Sequence, residues 1–236
     1  MADKLDFSPY FKAYEQIRDA ADLIFEKMQN DFPEEVTCKL RCSDCCQAVF
    51  DLTFIEALYI NYHFNRTVDD ETRRLIIEKA NTADRQVYRL KRAAAIDVAE
   101  GRDEADIVEE MGRARITCPL LEDDQTCRLY PYRPITCRLY GIPLSVGGKG
   151  RTCGISAFTP GKQYPSVQYD KIVERLQALS HKMVAELKSR YAKMGESLVP
   201  LSMALLTQYD DTYLGIGSLP KPPPSTRKHG KRRSRK

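Results

Sequence analysis

The sequence predicts a mainly α-helical protein in which helices pack around a loop-rich cysteine cluster, with few or no short strands. Apolar residues recur at three- and four-residue steps over several long segments, which is typical of amphipathic helices. Eight cysteines fall into two groups along the chain. Prolines and glycines crowd residues 114–165 and exclude long helices there. The periodic segments therefore supply the helices, and the cysteine-bearing segments supply the loops.

Helices are predicted where caps and periodicity coincide. The predicted spans are residues 8–31, 53–64, 69–101, 103–113 and 167–194. Ser8 is expected to cap the first helix, with Pro9 at its first position. Thr53 and Glu56 form a capping box at the start of the second. Gly195 is expected to end the last.

The remaining segments are read as loops and short elements. Residues 34–51 are predicted to be a loop organised by the cysteines, and short strands are predicted around 142–146 and 150–153. The long helix is expected to break near Asn81, and residues 198–206 to add a final helical turn or two. The second helix is expected to cover the cysteine cluster with apolar side chains, namely Phe54, Ile55, Leu58, Tyr59 and Tyr62.

Composition separates a body from a tail. With 236 residues and 42% hydrophobic content, the chain can bury a substantial core, and residues 1–215 are assigned to one domain with a core motif at 38–153. Residues 216–236 are predicted to be a disordered basic tail, because this segment is rich in proline and cationic side chains. Such a tail could bind nucleic acid non-specifically through phosphates, or act only as a solubilising segment.

The cysteines are the candidate functional residues. They are Cys38, Cys42, Cys45, Cys46, Cys118, Cys127, Cys137 and Cys153. No secretory signal and no apolar run of ~18 residues is seen, so a cytoplasmic protein without a membrane span is expected. Disulfides are disfavoured in that reducing compartment. All eight cysteines are therefore predicted to be metal ligands.

Thiolates are soft ligands that select zinc, copper(I) or iron–sulfur clusters. Eight cysteines suffice for two four-thiolate sites, or for one multinuclear site that draws ligands from both groups. A zinc pair would mainly stabilise the fold, whereas an iron–sulfur cluster would add redox chemistry. The spacing of Cys38, Cys42 and Cys45 is also that of radical S-adenosylmethionine clusters, but the chain lacks the alternating strands and helices of their barrel. The expected cofactor is an iron–sulfur cluster or zinc, and the fold is expected to be organised by it.

Two arginines flank Cys137. Arg133 and Arg138 could donate N–H groups towards thiolates and offset their negative charge, or could form ion pairs with the acidic run 122–124. Both interpretations stay open at this point.

Two tyrosines and a histidine have open roles. Tyr130 and Tyr140 could shield a metal from water, with core packing as the favoured alternative. His63 could replace a thiolate, although an exposed or hydrogen-bonded histidine is favoured because the cysteines already supply enough donors.

Combined motifs resemble a known family. The motifs are Cys38-xxx-Cys42-xx-Cys45-Cys46, Leu52-Thr53-xx-Glu56, Cys118-Pro-Leu-Leu, Cys127-Arg-Leu-Tyr130 and Arg133-Pro-xx-Cys137-Arg138-xx-Gly141. They resemble the YkgJ-type cysteine-cluster family, which is described as zinc- or iron-chelating. They are similar in the same way to the cysteine-cluster part of flagellin lysine methylases, which look like iron–sulfur proteins. The resemblance implies that seven cysteines occupy family positions, whereas Cys153 lies beyond the best-matching motif.

The sequence departs from that family pattern in two places. Three residues instead of two separate Cys38 from Cys42, and a long helical insertion lies between the two cysteine groups. The expected function is a metal-binding protein that holds an iron–sulfur or zinc centre, with its reaction unknown. The alternatives are an iron–sulfur enzyme with redox or protein methyl-transfer activity, and a zinc-stapled interaction module with a nucleic-acid-binding tail.

Overall fold

The computed structural model describes residues 5–217, which form seven α-helices and five short strands. The helices are α1 Ser8–Asp31, α2 Phe54–Thr67, α3 Asp70–Ala99, α4 Glu104–Arg113, α5 Ile135–Leu139, α6 Tyr169–Glu186 and α7 Leu201–Leu206. The strands are β1 Asp51–Thr53, β2 Leu144–Val146, β3 Lys149–Arg151, β4 Val167–Gln168 and β5 Leu198–Pro200. The prediction of a mainly α protein with few strands is confirmed.

The N-cap residue of α1 lies one position earlier than predicted. Phe7 is the N-cap residue, so the assignment of that role to Ser8 is wrong. Asp6 accepts a hydrogen bond from the backbone N–H of Ser8 at 2.9 Å, which satisfies one donor that helix geometry leaves without a partner. Pro9 lies in the first turn as the second residue of the helix, one position later than predicted.

The capping box of α2 is present, and α3 runs without a break from Asp70 to Ala99. Asn81 and Thr82 do not break α3, because their side chains donate to carbonyls four residues earlier, those of Ile77 and Glu78, at 2.9 and 3.2 Å. These two side chains were expected to interrupt the helix, but they form hydrogen bonds with its backbone carbonyls instead.

The last long helix ends at Glu186, eight residues before the predicted end at residue 194. Lys188 takes a left-handed backbone conformation with φ 54°. Arg190 then donates its backbone N–H to the carbonyl of Gly215 at 3.1 Å. A contact with a remote segment therefore redirects the chain, and Gly195 lies in a following 3₁₀ turn, Ala192–Glu196.

One contiguous apolar core connects α1, α2, α5, α6 and α7. Its largest fully buried side chains include Tyr14, Phe54, Ile55, Leu139 and Leu176. Phe54 and Ile55 were expected to cover the cysteine cluster, but they belong to this core. The segments that carry cysteines pack against this core through Cys38, Cys118 and Cys127.

Two small sheets tie distant segments together. Strands β1 and β5 are antiparallel, with Leu52 opposite Val199, so the segment before α7 lies beside the one before α2. Strand β2 pairs antiparallel with β3 and parallel with β4, where Leu144 lies opposite Val167.

Two sequence predictions concern the chain ends and membranes. Most of the predicted tail, 216–236, lies outside the described residues; within it, Ile216 donates its N–H to the carbonyl of Asp211 at 2.8 Å. Within residues 5–217, no helix has the length and apolar character needed to cross a bilayer.

Candidate metal centre

Seven of the eight cysteines line one cavity of about 550 Å³. They are Cys38, Cys42, Cys45, Cys46, Cys118, Cys127 and Cys137. Cys45 and Cys46 lie on a short 3₁₀ helix, Asp44–Gln47, and Cys137 lies on α5. The cavity thus joins both cysteine groups, although α3 and α4 separate them along the chain.

Contacts between thiols cross from one group to the other. The thiol of Cys45 is within hydrogen-bonding reach of Cys46 and Cys137, and that of Cys46 is within reach of Cys118. The backbone N–H of Cys118 also donates to the carbonyl of Cys46 at 2.7 Å. Among residues 5–217, no three or more His, Cys, Asp or Glu side chains have the mutual geometry of a metal-ion site. The thiols therefore face one cavity without forming a closed ligand set.

The environment of the thiols sets their proton affinity. Burial, followed by the neighbouring Cys42 and Cys153, raises the pKa of Cys38 to about 12. Burial and the neighbouring Cys118 raise the pKa of Cys127 to about 12. The pKa of Cys45 is lowered, because Cys137 and Cys46 donate hydrogen bonds to its sulfur. The raised pKa values of Cys38 and Cys127 mean that a metal ion binding there would displace their protons.

Cys153 does not line this cavity. It is buried, and its thiol donates to the carboxylate of Asp44 at 3.2 Å. The same carboxylate accepts a hydrogen bond from the Tyr140 hydroxyl at 3.1 Å and forms an ion pair with Arg115. Because Asp44 is the first residue of the 3₁₀ helix that carries Cys45, this hydrogen bond joins Cys153 to that helix, and ligation by Cys153 stays a prediction.

Glu56 connects the second helix to the helix that carries Cys137. Its buried carboxylate accepts from the Thr53 backbone at 3.0 Å, from the Thr53 hydroxyl at 2.8 Å and from the Ile135 backbone at 3.0 Å. Burial raises the pKa of Glu56, while the hydrogen bonds from Ile135 and Thr53 oppose that rise. Because Ile135 is the first residue of α5, Glu56 fixes where α5 begins.

The two arginines pair with α1. Arg138 is buried and donates to the Arg133 carbonyl at 2.8 Å, to the Pro131 carbonyl at 2.6 Å and to Asp22 on α1. The guanidinium of Arg133 lies 3.7 Å from Asp22. The alternative that these arginines pair with residues 122–124 is therefore wrong. Both arginines line the cavity, so the predicted role in offsetting thiolate charge is still open to them.

The aromatic residues near the site divide into two sets. Tyr130 and Tyr140 line the cavity, and Tyr130 is 56% exposed, so packing of Tyr130 in the core is wrong. The guanidinium of Arg133 lies over the Tyr130 ring, 4.0 Å from its centroid. His63 stacks on Tyr132 with 3.7 Å between ring centroids and does not line the cavity.

Sequence reasoning did not identify Asp22 and Asp44 as partners of the site. Asp22 lies outside the quoted motifs and Asp44 is an unspecified position within the first of them, and only the folded chain brings them to Arg138 and Cys153. Gly141 did belong to the quoted motif. The structure supplies its reason, because Gly141 has φ 100° and an added Cβ would run into the Cys38 sulfur.

We expect Gly141→Ala to lower the free energy of unfolding by about 2 kcal/mol, since a side chain there is strained and displaces Cys38. The matched control is Gly150→Ala, where an added Cβ meets no atom within 4 Å. Chemical denaturation of both variants measures the effect. Equal stability of the two variants would contradict the assigned role of Gly141.

Comparison with known proteins agrees with this site. A family model described as "CxxCxxCC: Putative zinc- or iron-chelating domain" matches residues 37–154. No curated protein and no solved structure matches the chain. The matched residues make up half of the chain and contain all eight cysteines. The chain therefore belongs to the CxxCxxCC family of domains described as zinc- or iron-chelating.

Proposed function

We propose that the chain binds zinc or iron in a multinuclear centre through the seven cysteines that line the cavity. The observation that carries the proposal is their convergence: thiols from residues 38–46 and from 118–137 face one space of about 550 Å³. The family description supports metal chelation. Seven donors exceed the four that a single tetrahedral zinc or iron ion takes, which favours more than one metal ion.

The charges around the cavity fit a thiolate-rich centre. Four basic residues line it, namely Lys39, Arg41, Arg133 and Arg138. Within the described part of the chain, no aspartate or glutamate lines it. Four thiolates around a divalent ion leave a net negative charge, and nearby cations stabilise that charge in a partly buried site. The lining is therefore suited to the ligated state.

The bound group determines what the site does. An iron–sulfur cluster would supply electron transfer, whereas zinc would mainly stabilise the fold. The protein would contribute the donors, the cationic lining and partial exclusion of water. Redox or methyl-transfer activity would also need a place for a substrate beside the centre.

Elemental analysis with absorption spectroscopy on anaerobically purified protein tests the proposal. We expect at least two zinc or iron ions per chain. A brown sample with thiolate-to-iron absorption would assign an iron–sulfur centre, and a colourless sample with zinc would assign a zinc centre. Folded protein that contains neither metal, and that gains none on anaerobic reconstitution, would contradict the proposal.

Two earlier predictions remain predictions. Nucleic-acid binding was one of two interpretations of the basic tail, beside a solubilising role, and most of the tail lies outside the described residues. A cytoplasmic location was inferred from sequence features alone.

A further inference from the structure

The cavity extends beyond its sulfur-lined wall. Apolar side chains of α2, α3 and α7, which together are called the apolar wall, also line it, along with Phe25 of α1 and the polar side chains of Gln29 and Ser202. The apolar wall consists of Ile60, Ala83, Val87 and Leu201. Ile60, Ala83 and Val87 are buried, so this wall belongs to the interior of the fold.

Backbone and ion-pair contacts hold the two walls at fixed positions. The segment from Cys46 to Phe50 runs along the cavity, and the Gln47 carbonyl accepts from the Ile116 N–H at 3.0 Å. Asp51 follows this segment directly and pairs with Lys91, one turn after Val87 on α3, at 2.6 Å. The apolar wall is therefore anchored to the same segment that carries Cys46.

Where α7 lines the cavity, a polar contact joins this helix to α3. The buried hydroxyl of Ser202 on α7 donates to the carboxylate of Asp84 on α3 at 3.0 Å. Ser202 lines the cavity together with Pro200, which belongs to β5. Strand β5 pairs with β1, where Pro200 lies opposite Asp51. This pairing joins α7 to the segment that carries Cys46.

We propose that the apolar wall binds an uncharged, apolar small molecule beside the metal centre. The inference rests on the proposed function in one respect, because it takes the neighbouring cysteine site to be a metal centre. Metal–thiolate bonds are about 2.3 Å long, so bound ions lie against the sulfur-lined wall and leave the apolar wall uncovered. The total volume of about 550 Å³ falls within the range of small-molecule sites, about 300–1,000 Å³.

The lining also selects among ligand charges. The charged groups that line the cavity are cations, which repel a cationic ligand. The wall formed by Ile60, Ala83, Val87 and Leu201 has no charged group with which an anion could pair. The transfer from water into such a cavity has the most favourable free energy for an uncharged apolar molecule, because burial of its surface is favourable and no charge is desolvated.

Titration of the purified, metal-containing protein with the neutral fluorophore N-phenyl-1-naphthylamine tests this inference. We expect saturable binding of one molecule per chain. Ala83→Phe fills the apolar wall and should weaken binding about tenfold or more, equivalent to about 1.4 kcal/mol. Ala93→Phe, at an exposed position on the same helix, should bind the fluorophore as the unaltered protein does. Val87→Phe provides a second filled variant in case Ala83→Phe does not fold.

Metal content, measured on the same samples, separates the two proposals. Normal metal content with no saturable fluorophore binding, or with binding that the filled variants leave unchanged, would overturn this inference alone. Fluorophore binding that the filled variants weaken, in protein that takes up no metal, would support the pocket and contradict the proposed function.

Discussion

Cys45→Ser is expected to reduce the affinity for zinc or iron by at least about a hundredfold. Loss of a side chain that only hydrogen-bonds to a metal ligand costs about 10- to 100-fold in affinity, and Cys45 is proposed to be a ligand itself. Cys45 is the sulfur that contacts both its neighbour Cys46 and Cys137 of the second cysteine group. Serine keeps the size of the side chain but replaces a soft thiolate with a poorly ionised hydroxyl. Metal content per chain and competition with a chelator measure the loss.

Cys153→Ser is the matched control for Cys45→Ser. Cys153 is buried and donates to Asp44, but it does not line the cavity. A serine hydroxyl can make the same hydrogen bond, so we expect near-normal metal content if the seven cavity-lining cysteines hold the centre, as proposed, without Cys153. If both variants lost metal equally, the ligand set would include Cys153 and would extend past the cavity. If neither lost metal, the cysteine cavity would not be the metal site.

Glu56→Ala is expected to lower the free energy of unfolding by about 3 kcal/mol, since it leaves buried N–H donors without partners at about 1–3 kcal/mol each. The donors are the backbone groups of Thr53 and Ile135, together with the Thr53 hydroxyl. Because Ile135 begins the helix that carries Cys137, metal affinity should fall as well. Denaturation of the metal-free variant measures stability apart from metal binding.

Glu71→Ala supplies the comparison for Glu56→Ala. Glu71 is exposed in the first turn of α3, where its charge interacts only with the helix dipole. We expect a loss of about 0.5 kcal/mol or less and unchanged metal content. A similar loss for both glutamates would show that the hydrogen bonds of Glu56 do not hold α2 and α5 together.

The helices were predictable where local signals decide the outcome. Thr53 and Glu56 lie three residues apart, and the capping box they form needs no remote partner. The end of α6 was not predictable in this way, because Arg190 leaves the helix to bond the carbonyl of Gly215. Periodicity reports which face of a segment is apolar, whereas a remote hydrogen bond decides where that segment stops being helical.

The sequence predicted which residue types form the candidate site better than it predicted how they are arranged in space. The spacing of the cysteines and the flanking motifs indicated seven of the residues that line the cavity. Spacing could not show that Cys153 turns to Asp44, or that Arg138 reaches Asp22 across the fold. Nor could it show the apolar wall at Ala83 and Val87, since a small or branched residue on a helix face is ordinarily core.

The position of α3 and α4 between the two cysteine groups has a consequence for synthesis. At about 5–20 residues per second, a ribosome needs several seconds to add these helices and reach Cys118 after Cys46 has been made. During that interval the early thiols have emerged before their later partners exist. Assembly of a centre that uses both groups must therefore follow translation of Cys137, and the nascent chain is open to oxidants until then.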